Sequence, residues 1–92
     1  MKQIYGIFDL IAQELVGNIM MQAADASAIR TFTDIAENDK QFARHLHDFN
    51  LVCLGSLDLR TCEIVAEYRT ILAGSVLAAT RAAQEVSTNA NA

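Results

Sequence analysis

The sequence predicts an α+β fold: a small antiparallel sheet of two hairpins in the order ββαββ, with one helix packed on a face and a C-terminal helix after it. Three observations predict this fold. Ala24–Asn38 has the spacing of an amphipathic helix, strand-like runs lie on both sides of it, and 92 residues suffice for a single core. We expect one ββαββ domain over residues 1–74, a helix over residues 75–86 and a flexible tail over residues 87–92.

The central helix is predicted because its apolar residues recur at three- and four-residue intervals, at Ile29, Phe32 and Ala36. Asp25 is expected to be the N-cap, since its carboxylate can accept hydrogen bonds from the free N–H groups of the first turn. Arg30 and Asp34 are four residues apart, so we expect them to pair on the helix surface. One side of this helix is therefore predicted to be buried.

The first hairpin is predicted before this helix. Lys2–Asp9 is rich in β-branched and aromatic residues and is apolar on both faces, which favours a central position in the sheet. Leu10–Val16 is interpreted as a loop. The short run Asn18–Ala23 then supplies the second strand, which leads directly into the helix.

The second hairpin follows the polar connection Asp39–His47. Its strands are predicted over Asp48–Leu54 and Cys62–Tyr68, and the second run alternates apolar and polar residues like a half-exposed strand. Thr70–Ala73 can extend that strand. The alanine-rich run Val76–Val86 is predicted to be the C-terminal helix, with a thin apolar face.

Composition and charge bound the function. The net charge is −4 and the seven Lys and Arg residues are scattered, which disfavours tight nonspecific binding of nucleic acid through counterion release. The longest apolar runs are too short to cross a bilayer, and the N-terminus has no apolar core of a secretion signal, so we expect no membrane partner. The two cysteines are expected to be free, small hydrophobic residues.

No motif predicts catalysis or a cofactor. His45, His47 and Asp48 resemble a ligand cluster, but a structural zinc site needs four ligands, so a solvated loop is the preferred interpretation and a metal protein the alternative. Cys53 and Cys62 flank the second hairpin without the Cys-x-x-Cys spacing of a redox pair. The acidic residues form no recognised pair, and the glycines form no phosphate-binding loop. We expect no catalytic residue, no metal and no enzyme activity.

Three blocks resemble the small nonstructural protein of gokushovirus-type microviruses, which are bacteriophages with circular single-stranded DNA genomes. In sequence order these blocks are Ile4–Asp9 followed by Ala12 and Glu14, Ala24–Phe32, and Asp48–Gly55 with Asp58. The resemblance spans roughly residues 3–76. Cys62 stands where the family usually has a glycine, and His47 stands where it often has a proline.

This resemblance implies a phage-encoded protein, absent from the virion, that contacts DNA during genome replication or packaging in the host bacterial cytoplasm. Exposed aromatic rings and cations are the features that bind unpaired bases. The candidate DNA-binding residues are Lys2, Tyr5, Arg30, Arg60, Tyr68 and Arg69. Tyr5 and Tyr68 belong to strands of one predicted sheet, so they can form a platform for single-stranded DNA. The alternatives are that both rings are buried and that Arg30 pairs with Asp34.

The apolar content also predicts protein partners. The first strand is apolar on both faces, but one helix covers only one of them, and the C-terminal run has a stripe of small residues. We therefore expect a homodimer or a higher symmetric oligomer, unless the C-terminal helix folds back over the sheet. The leading hypothesis is an oligomeric, nonenzymatic phage protein that contacts single-stranded DNA in genome replication or packaging. The alternative is a module that recruits a host or viral assembly or replication factor without touching DNA. The acidic charge favours the second.

Overall fold

The computed structural model describes residues 1–90 of the protein and the side chains of residues 1–84. It confirms the predicted α+β fold. The elements in chain order are β1 (Lys2–Asp9), β2 (Glu14–Gln22), α1 (Asp25–Asn38), α2 (Lys40–Arg44), a 3-10 turn (Leu46–Asp48), β3 (Phe49–Leu57), β4 (Ile64–Ala73) and α3 (Gly74–Ala90).

The sheet has four antiparallel strands in the order β2-β1-β3-β4, so β1 is an inner strand, as its two apolar faces predict. The register places Tyr5 between Met20 on β2 and Cys53 on β3. Gly6, the next residue of β1, lies opposite Val52, which in turn pairs with Thr70 on β4. Because side chains alternate along a strand, these two rows belong to opposite faces of the sheet.

The core lies between α1 and one face of the sheet. Ala28, Phe32 and Ala36, the buried residues of α1, lie on one side of that helix, as its spacing predicts. They form one buried cluster with sheet residues that include Tyr5 and Leu51. The Phe32 ring meets Phe42 edge to face at 5.6 Å, and Phe42 stacks on Phe49 at 4.6 Å.

Two connections are more ordered than the sequence predicts. β2 begins at Glu14, so the expected loop over Leu10–Val16 is only four residues long, and the Asp9 carboxylate closes it by accepting from the Ile11 and Ala12 N–H groups at 2.8 and 3.1 Å. The polar connection Asp39–His47 contains α2 and most of the 3-10 turn. The Asp39 side chain caps α2 by accepting from the Phe42 N–H at 3.0 Å.

The N-cap prediction for Asp25 is wrong. Ala24 occupies the N-cap position with no side-chain hydrogen bond, and Asp25 is the first helical residue. Its carboxylate binds side chains from two strands instead, and these contacts take the place of a capping bond. The expected pair between Arg30 and Asp34 is also absent from the ion pairs of residues 1–84.

α3 packs on the same side of the sheet as α1. Gly74 starts it in a very close contact, since a Cβ atom there would lie 1.8 Å from the Leu46 carbonyl oxygen. Leu77 joins the buried cluster under α1, and the Arg81 guanidinium donates to the Ala36 carbonyl at 3.2 Å. α3 therefore folds back on the side of the sheet that α1 already covers, and the second face is left without a helix from residues 1–90.

The C-terminal helix is longer than predicted. α3 includes residues 87–90 of the predicted tail, and residues 91–92 of that tail lie outside the described residues. No helix of residues 1–90 is long and apolar enough to cross a membrane.

Candidate interaction surface

A side-chain network joins three elements on the helix-covered side of the sheet. The Tyr5 hydroxyl on β1 donates to Asp25 Oδ1 on α1 at 2.5 Å. The Arg69 guanidinium on β4 binds the same carboxylate with two bonds, Nη1 to Oδ2 at 3.0 Å and Nη2 to Oδ1 at 3.1 Å. This fork geometry is the strongest form of an arginine–carboxylate contact. The network ties the start of α1 to an inner strand and an edge strand.

Each contact in this network shifts the pKa of the group so that the protonation state that makes the contact is favoured. The Arg69 guanidinium, followed by the Tyr5 hydroxyl, holds the pKa of Asp25 below its ordinary value. Burial, reinforced by the hydrogen bond to Asp25, raises the pKa of Tyr5, and the bond to Asp25 raises the pKa of Arg69. The carboxylate and the guanidinium are therefore both charged at neutral pH.

This geometry corrects two of the candidate DNA-binding residues. The Tyr5 ring is 0% exposed under α1, so it has no face on which a base could stack. Arg69 is partly exposed, but its two terminal nitrogens are engaged by Asp25. The predicted platform of two tyrosines does not form, because Tyr5 and Tyr68 lie on opposite faces of the sheet.

The second face of the sheet is apolar and bears no helix. We call it the open face; its side chains are those that alternate with the helix-facing row. Its larger members are Lys2, Ile4 and Phe8 from β1, Leu15, Ile19 and Met21 from β2, Val52 and Leu57 from β3, and Ile64 and Tyr68 from β4. Ile19 is 58% exposed, Ile64 is 65% exposed and Tyr68 is 62% exposed. These three residues lie on the edge strands, whereas Val52 on the inner strand β3 is 0% exposed. Patches of exposed apolar side chains mark interaction sites in proteins.

Charge is nearly absent from the open face. Lys2 is the one charged side chain of the four strands that falls on it, and β4 directs Glu67 and Arg69 to the other side. Arg60 lies in the exposed turn between β3 and β4, at the end of the sheet where Lys2 pairs with Leu57. Among the six candidate residues, Lys2, Arg60 and Tyr68 thus lie on or beside this face. Arg30 is exposed on α1, away from them.

The histidine and cysteine clusters are not assembled into sites. His45 Nδ1 lies 4.0 Å from Asp48 Oδ2, and no three His, Cys, Asp or Glu side chains within residues 1–84 are placed to hold a metal. Cys53 is buried in the sheet and Cys62 is exposed in the turn before β4. Cys62 has a φ of 65°, in the left-handed region that favours glycine, at the position where the resemblance leads us to expect glycine.

A protein-family model described as "Phage ORF5 protein" matches residues 2–79. The chain belongs to this phage ORF5 family. The matched range contains all four strands, α1, α2 and the first part of α3. No curated protein and no solved structure gives a significant match to the chain. The phage assignment made from the three sequence blocks is therefore confirmed.

Proposed function

We propose that this phage protein is a nonenzymatic interaction module whose open face binds a protein surface. The observation that carries this proposal is an apolar sheet face with one charged side chain, Lys2, left uncovered by the three helices of residues 1–90. A folded domain gains by removing such a surface from water, at about 25 cal/mol per Å². Among the strand residues on this face only Lys2 could bind a phosphate by its charge, whereas most of the other large side chains are apolar and suit packing against a protein.

The biological setting is also part of the proposal. The proposed setting of the protein is the host cytoplasm, outside the virion, during genome replication or packaging, and the resemblance to gokushovirus-type microviruses supports it. Its partner there is a host or viral protein of that process.

Contact with single-stranded DNA is the second candidate function. It is favoured by the exposed Tyr68 ring on the open face, with Lys2 on that face and Arg60 in the adjoining turn. An aromatic ring and two cations are the elements of a short stacking site. The small number of cations predicts weak binding with a shallow salt dependence, since each neutralised phosphate contributes a slope of roughly −0.7.

The test is phage yield from host cells that supply a variant protein to a phage whose own copy of the gene is disrupted. Ile19→Glu places a charge on the open face, midway along the edge strand β2, and Ile11→Glu is its matched control. Ile11 is 76% exposed in the turn between β1 and β2, outside that face. We expect Ile19→Glu to lower the yield at least tenfold and Ile11→Glu to leave it unchanged. Equal yields would refute the proposal.

A parallel measurement separates the two functions. A fluorescent single-stranded oligonucleotide is titrated with the protein at low and moderate salt. The protein-interaction proposal predicts no saturable binding. Saturable binding that weakens with salt and is lost in Lys2→Ala and Tyr68→Ala variants would instead support contact with DNA.

A further inference from the structure

We infer that the protein surface bound by the open face is the open face of a second copy, so that two sheets pack face to face in a twofold-symmetric dimer. This inference rests on the proposed function and names its partner. It also specifies which surface forms the symmetric oligomer expected from the sequence. In such an isologous contact each residue of the face meets the same face of its partner.

The chain's own helices do not cover this face. α1 and the buried Leu77 of α3 share one cluster on the opposite side of the sheet. Gly74 holds the start of α3 against the backbone of Leu46 and Phe49, with no space for a side chain. The Arg81 guanidinium fixes the next turns by its bond to the Ala36 carbonyl. Covering the open face within residues 1–90 would require breaking these contacts.

The size of the face suits a small dimer. Four strands at about 4.8 Å spacing and eight residues at about 3.3 Å rise give roughly 500 Å² per copy. Two copies would bury about 1,000 Å² in total, which is near the lower bound for a specific interface. Two sheets that pack at the usual separation of about 10 Å let side chains from both faces interdigitate.

The chemistry of the face is self-complementary. Apolar side chains from all four strands meet like side chains, and no carboxylate on β1–β4 falls on the face to be desolvated without a partner. Lys2 lies at the end of β1, beside the turn that follows β3, where its ammonium group reaches water at the rim. Such a face selects an apolar partner, and every other copy of the chain presents one.

The test is sedimentation equilibrium of the full chain over a range of concentrations, with the Ile19→Glu and Ile64→Glu variants and the Ile11→Glu control. The wild-type chain should reach twice its mass of 10.1 kDa. Each buried isoleucine contributes about tenfold in affinity and occurs twice in the dimer, so each open-face substitution should raise the dissociation constant by about 100-fold. Circular dichroism checks that the variants are folded.

A wild-type chain that stays monomeric, a dimer that survives both open-face substitutions, or a larger assembly overturns the inference. Its failure is distinguishable from failure of the proposed function. A monomeric protein whose Ile19→Glu variant still lowers phage yield uses the open face for a different protein. A stable dimer whose open-face variants leave the phage yield unchanged has the contact without the proposed role.

Discussion

The Tyr5 hydroxyl provides a sharp test of the packing, because Tyr5→Phe removes a single oxygen from a fully buried ring. That oxygen donates to Asp25, and a hydrogen bond to a charged group contributes about 1.5–3 kcal/mol. Asp25 is partly exposed and keeps its two bonds to Arg69, so screening and the remaining partner reduce the loss. Phenylalanine fills the same space and leaves no unpaired group on the ring. We expect a loss of about 1–2 kcal/mol.

The assay is urea unfolding of dilute protein at pH 7, with the slope required to match that of the wild-type chain. Tyr68→Phe is the matched control, because its hydroxyl is on an exposed side chain of the same sheet. Its effect should stay within about 0.5 kcal/mol. A Tyr5→Phe variant as stable as the Tyr68→Phe variant would show that the network does not stabilise the fold.

The contribution of the Tyr5–Asp25 hydrogen bond to stability should depend on pH. The pKa of Asp25 is lowered in the folded protein from an ordinary value of 3.8, so its contribution is fully present above that value. The contribution is lost as pH falls through the folded-state pKa, because the protonated carboxyl no longer attracts Arg69 or accepts as strongly from Tyr5. The stability difference between wild type and Tyr5→Phe should be constant from pH 7 to about 5 and shrink in stronger acid. A difference that grows below pH 4 would contradict this assignment.

Two further predictions concern the sheet and the core. Gly55→Ala should lower the free energy of unfolding by at least about 3 kcal/mol, since its Cβ would lie 2.1 Å from the Val65 carbonyl oxygen at a φ of 149°. Gly6→Ala should lower it by less than about 1 kcal/mol, because only the end of the flexible Leu15 side chain must shift. Thermal unfolding followed by circular dichroism ranks the two, and similar losses would refute the register. Phe32→Ala should cost about 3–5 kcal/mol by leaving a cavity against Phe42, measured by urea unfolding. A loss below about 2 kcal/mol would mean that the cluster collapses around the missing ring.

The sequence predicts the elements whose signals are local. The spacing of Phe32 and Ala36 locates α1 to within one residue, and the β-branched residues of β1 indicate an inner strand. Thr70–Ala73 extends β4, as expected. The start of β2 is missed because Gly17-Asn18 looks like a break in the chain and Leu15 also suits a helical turn. That part of the strand is specified by its pairing with β1.

The candidate site is less predictable because it depends on contacts between distant residues. Asp25 is a good N-cap by local rules, but Tyr5 lies 20 residues before it and Arg69 lies 44 residues after it, and their contacts hold it as the first helical residue. Which face each tyrosine occupies depends on strand register, which shifts between Cys53 and Gly55. Alternation within one strand does not reveal that shift. The charge of the open face follows from the same register.

The most direct test of whether a second copy covers the open face is hydroxyl-radical footprinting of the wild-type chain and the Ile19→Glu variant at one concentration, read by mass spectrometry. Met21 and Tyr68 report on the open face, and Leu59 in the β3–β4 turn serves as the internal control. If the face is covered by a second copy, Met21 and Tyr68 should oxidise several-fold more slowly in the wild-type chain, with Leu59 unchanged. Equal oxidation of Met21 and Tyr68 in the two proteins would show that the open face remains in water.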